Sequence, residues 1–146
     1  MSWVCLGINA TALIYGGICD YRRREIPNIV PLLLLLSGLI QCEKILQHLA
    51  AMLGVIALLL LSRLCSEKQL PGGDVKLLCS LAFAVGASAW AGTFLTTGLL
   101  ILIYSILKKL PLNRSVPLCT YVASAFTILA LLSFNNNCSF FPIVVI

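Results

Sequence analysis

Between Lys76 and Lys108 the chain carries no charged side chain. As a single helix, residues 77–107 would be about 46 Å long at 1.5 Å per residue, against a bilayer core of about 30 Å. The run is therefore read as two helices folded back on each other. The small-residue stretch Gly86-Ala-Ser-Ala-Trp-Ala-Gly92 supplies the turn, giving a short fourth helix over about 75–85 and a fifth over about 90–107. Apolar runs at 3–19, 29–40, 46–64 and 116–134 complete a set of six, parted by short polar loops. Charged residues make up 10% of the chain and hydrophobic ones 60%. Soluble domains carry about 25% charge, so a soluble globular fold, a nucleic-acid-binding domain and a disordered chain are all excluded. The expected fold is all-α: one membrane-embedded domain over 1–146 with six transmembrane helices, the fourth of them short. The first run has neither a basic leader region nor a small-residue cleavage site, so it is read as a span and not as a signal peptide.

The positive charges set the orientation. Arg22, Arg23 and Arg24 lie in the first loop, Arg63, Lys68 and Lys76 around the third, and Lys108, Lys109 and Arg114 in the fifth. Only Lys44, beside Glu43, falls on the other side. Basic loops stay cytoplasmic, so both termini are expected outside the cytoplasm. The seven cysteines are scattered, odd in number and never spaced as CxxC, which argues against a zinc site or a disulfide framework. No metal and no cofactor is expected.

The chain has five acids: Asp20, Glu25, Glu43, Glu67 and Asp74. Taken singly, Asp20 reads as a solvated headgroup residue among arginines, and Asp74 as a helix N-cap. Taken together they come from different loops yet share the cytoplasmic face. Two close carboxylates cannot both ionise cheaply and so share a proton. The ionised one can draw a proton from water attacking a peptide carbonyl while the protonated one polarises that carbonyl. A short fourth helix would begin below the interface and hold Asp74 partly desolvated. The single histidine, His48, lies on the outer side and reads as an interfacial residue, which leaves a Ser-His-Asp or Cys-His mechanism unsupported.

The string Asp20-Tyr-Arg-Arg-Arg-Glu-Ile-Pro-Asn28 resembles the first motif of the type IV prepilin peptidases, an aspartate followed by Ile-Pro-Asn. Gly72-Gly-Asp-Val-Lys-Leu77 resembles their second motif, the Gly-x-Gly-Asp signature. A weaker likeness is Arg114-Ser-Val-Pro117 ahead of the last helix. Order, spacing and sidedness agree over nearly the whole chain. The resemblance implies a membrane aspartic endopeptidase that removes the short leader of prepilins or pseudopilins at the cytoplasmic face of a bacterial inner membrane. It makes Asp20 and Asp74 the catalytic pair. Ile26, Pro27, Asn28, Gly72, Gly73 and Lys76 become supporting or substrate-binding residues. Pro27 sets a rigid start for helix 2 with the Asn28 amide near Asp20. Gly72 and Gly73 allow close approach or positive φ beside Asp74, and Lys76 meets anionic lipid or biases the carboxylate.

The chain lacks the paired CxxC insertion of the longer members. It therefore resembles the short branch associated with tight-adherence (Flp-type) pili, and cleavage without methyl transfer is expected. The expected partners are prepilin-like substrates and the lipid bilayer, with no nucleic acid; the sequence does not specify an oligomeric state. One position departs from the signature. Pro71 stands where the family has its first glycine, which bears on efficiency and substrate range. It also keeps in view an alternative, a non-enzymatic scaffold or assembly factor of a pilus or secretion system.

Overall fold

The computed structural model describes residues 3–41, 45–65, 71–108 and 117–136. These form six helices: α1 (Trp3–Arg23), α2 (Ile29–Gln41), α3 (Ile45–Cys65), α4 (Gly72–Val85), α5 (Ala87–Leu107) and α6 (Leu118–Asn136). Glu43 and Lys44, the Glu67–Lys68 pair, Lys109 and Arg114 with its Ser-Val, and the apolar tail all lie outside the described residues.

Two boundaries differ from the sequence expectation. α1 continues through Arg23, so Asp20 lies in its last turn and not at the head of a loop. Arg22 and Arg23 are good helix formers, and their cations suit the negative end of the helix dipole. The helix stops at Arg24, which takes φ 53°. The reversal between α4 and α5 is also narrower than a seven-residue turn. It consists of Gly86 alone, at φ 82°. A glycine adopts that backbone without steric cost, and the alanines after it favour helix over turn.

α1 packs along α6 and α2, and α4 along α2 and α3. The core follows from this arrangement. Leu13 of α1, Val30 and Leu34 of α2, Leu77 and Leu81 of α4 and Phe126 of α6 are all buried in one cluster. A second cluster joins Val55 of α3 to Leu78 and Ala82 of α4. From Leu77 to Val85, α4 is thus covered on nearly every side, as its apolar sequence there requires.

The outer helices show the opposite pattern. Leu58, Leu60, Leu61 and Leu64 of α3, and Leu95, Leu99, Leu102 and Ile106 of α5, stand exposed. So many exposed aliphatic side chains are stable only against lipid. Three helices are long and apolar enough to cross a membrane, Val4–Arg23, Ile45–Ser62 and Ala87–Leu107, with shorter apolar helices at Ile29–Ile40 and Leu118–Ser133. The protein is an all-helical membrane protein. Polar side chains within it turn inward or back onto their own helices. Ser37 of α2 donates to Asn9 of α1. Ser80, Thr97 and Ser124 donate to carbonyls one turn earlier, a low-cost way to satisfy a hydroxyl in a helix.

Candidate active site

At one end of the bundle, four helix termini enclose a cavity of about 520 Å³. The end of α1 contributes Asp20, with Arg24, Glu25 and Ile26 from the turn after it. Asn28 enters ahead of α2, Pro71, Gly73, Asp74 and Lys76 from the start of α4, and Pro117 and Leu118 from the start of α6. A proline stands at the head of each of α2, α4 and α6: Pro27, Pro71 and Pro117. Proline ends the preceding segment and suits a helix start, where its missing N–H costs nothing.

Asp20 is 6% exposed. Its Oδ2 accepts a hydrogen bond of 2.9 Å from the backbone N–H of Cys119, in the first turn of α6. Asp74 is half-buried in the first turn of α4, ahead of the apolar stretch that opens at Val75. It is not the N-cap. Pro71 occupies that place, and its carbonyl accepts from the N–H groups of Asp74 (3.0 Å) and Val75 (3.3 Å). The two carboxyls, from α1 and α4, line the same cavity. Two carboxyls brought that close are the pairing in which one can act as acid and the other as base.

Pro71 is accommodated without strain. Its φ of −55° and ψ of 136° fall where the pyrrolidine ring places a proline. Gly72 and Gly73 are helical and neither takes positive φ. A Cβ on Gly73 would meet Ile26 at 3.6 Å, ordinary contact, and one on Gly72 would meet nothing within 4 Å. Neither the close approach nor the positive φ expected of these glycines is seen among the described residues. Pro27 lies just before α2, with Val30 N–H donating to its carbonyl at 3.0 Å. Of the residues singled out in the sequence, Asp20, Ile26, Asn28, Gly73, Asp74 and Lys76 meet at the cavity, while Pro27 and Gly72 sit beside it. His48 is at the far end of α4, where its Nδ1 lies 2.7 Å from the Phe83 carbonyl oxygen.

A model of the type IV leader peptidase family matches residues 7–106, about two thirds of the chain. The chain belongs to the type IV leader peptidase family. Neither the curated proteins nor the solved structures include a significant match to it. Membership makes this leader-peptidase family chain a membrane-bound protease, and the match takes in α1 to α5 with both aspartates. α6 lies outside the matched segment, and it provides residues that sequence reading passed over. Arg24 and Glu25 lie within the first motif; of the Arg114-Ser-Val-Pro117 likeness, Pro117 lines the cavity and the other three residues lie outside the described ones.

Proposed function

We propose that the protein is an aspartic endopeptidase that cleaves the short basic leader from prepilin or pseudopilin-like substrates. The observation that carries this reading is the meeting of Asp20 and Asp74, from helices far apart in sequence, in one cavity at one end of the bundle. In this reading Asp74 is the acid and Asp20 is the base. Asp20 draws a proton from a water molecule as its oxygen bonds to the scissile carbonyl carbon. Asp74 gives its proton to the carbonyl oxygen. One hydroxyl of the tetrahedral adduct then returns its proton to Asp74 as the carbonyl re-forms and the C–N bond breaks, and the proton on Asp20 passes to the departing amine, which restores both carboxyls. Ile26, Asn28, Gly73 and Lys76 shape the cavity around the extended leader, with Pro27 and Gly72 fixing the segments they sit on.

All six helices are taken to be embedded in a bacterial inner membrane, α4 spanning it incompletely. The cavity faces the cytoplasm, where the basic residues gather, and both termini lie outside. The substrate is delivered as a transmembrane helix with its leader at that face. The missing CxxC insertion supports the short branch of tight-adherence systems, with cleavage and no methyl transfer. The unstrained Pro71 supports a working enzyme over a scaffold. Co-expression with a candidate prepilin, in cells lacking other leader peptidases, tests the reading by gel mobility. Wild type converts the precursor, and Asp20→Asn and Asp74→Asn each leave it uncleaved. Cleavage by either variant refutes the dyad.

A further inference from the structure

We infer that the first turn of α6 is the positioning element for Asp20, acting through the backbone N–H of Cys119. This rests on the reading of Asp20 as the catalytic base. The contact joins residues 99 positions apart, and it reaches a carboxylate almost wholly withdrawn from solvent. Helix geometry explains why that N–H is available. The first four N–H groups of a helix have no partner within it, and Cys119 is the second residue of α6. Asp20 thus serves as a cap supplied from another helix, while α6 holds one of its oxygens.

The joint that makes this possible lies one turn back along α1. A Cβ on Gly16 would sit 3.0 Å from the Cys119 Sγ and 3.1 Å from Val30 Cγ1. A Cβ on Gly17 would sit 3.2 Å from the Thr120 Cα. All three distances are shorter than a Cβ normally keeps. Gly17 lets the backbone of α6 come up against α1, as small residues do between membrane helices, and Gly16 leaves room for the Cys119 and Val30 side chains. Thr120 then locks the approach, its Oγ1 donating to the Gly17 carbonyl at 2.9 Å. Three consecutive residues of α6 therefore have separate tasks: Leu118 lines the cavity, Cys119 holds the carboxylate and Thr120 fixes the helix pair. The thiol of Cys119 has no part in this. Only its N–H does.

The experiment removes that N–H. Cys119→Pro deletes the donor at a helix start, where no intrahelical bond is lost. A backbone ester in place of the Leu118–Cys119 amide does the same without a ring and decides the matter where the proline variant does not fold. Cys119→Ser retains the donor. Cleavage of a model prepilin, with a short basic leader ahead of an apolar helix, is followed in detergent micelles for kcat and KM. The expected result is a fall in kcat of about tenfold or more for the proline and ester variants, as for a catalytic group displaced by a fraction of an ångström. KM stays near wild type, and Cys119→Ser, which keeps the donor, retains a kcat well above that of the proline and ester variants. A folded proline or ester variant with unchanged kcat overturns the inference. So does a rise in KM without loss of kcat, or an equal loss in Cys119→Ser. If Asp20→Asn itself cleaves, the dyad reading falls; if Asp20→Asn is inactive while the ester variant is fully active, only the role of α6 falls.

Discussion

Gly38 gives the sharpest test of how the bundle sets the height of α4. A Cβ at that position would lie 2.7 Å from Phe83 Cδ1, 3.0 Å from Phe83 Cε1 and 3.0 Å from the Ala84 Cα. Carbon atoms in contact normally keep about 3.5–4.0 Å, so Gly38→Ala lacks about 0.5 Å at the Ala84 backbone. The Phe83 ring cannot give way freely, because it is 5% exposed and packed edge-on against His48. α4 itself must therefore move. Overpacking of this kind costs about 1–3 kcal/mol. α4 also carries Asp74, and a 1 Å error in a catalytic group costs about a hundredfold, so a shift of half that size lowers kcat about tenfold. Thermal unfolding in micelles and cleavage of a prepilin read the two effects. The control is Gly54→Ala on α3, where the new Cβ meets nothing within 4 Å. In an exposed helix that change stabilises by about 0.5–1 kcal/mol and leaves cleavage unchanged. If Gly38→Ala matches Gly54→Ala in stability and rate, the α2–α4 contact does not set the position of Asp74 and the reasoning fails.

His48→Phe keeps the ring against Phe83 but loses the bond to its carbonyl. It costs about 1 kcal/mol in an unfolding titration and leaves the cleavage rate unaltered; a large loss of rate would place the histidine in the chemistry.

The six helices are legible because lipid imposes a simple rule on sequence, apolar runs separated by charge, and because the one uncharged run too long for a single span carries a small-residue break at Gly86. The two aspartates were legible for the same reason, since acids are costly in such a chain and each carries its motif. What escaped was contact between distant segments. Cys119 looks in the sequence like any apolar helical residue, and its N–H carries no signature of its own. Gly16 and Gly17 read as small residues in a span until Thr120 is seen against them. The helical ends were misplaced where local chemistry is ambiguous. Tyr21-Arg-Arg23 can serve equally as a loop or as the last turn of a helix, and packing of α1 along α6 decides for the helix. Pro71 read as a loss against the family signature, whereas its dihedral angles show a start of α4 that a proline fits.

Gly86 has a bearing on depth. Because one residue at φ 82° separates α4 from α5, the two cannot merge into a continuous rod. The length of α4 is thereby set from its Gly86 end. From Gly86 to Asp74 the helix climbs about 18 Å at 1.5 Å per residue, well short of a hydrocarbon core of about 30 Å. In the proposed placement, with Gly86 at the outer boundary, the carboxyl would rest about 12 Å beneath the opposite one and the cavity would be a well that water and the leader enter, so that the glycine at one surface would act as a depth gauge for the chemistry at the other.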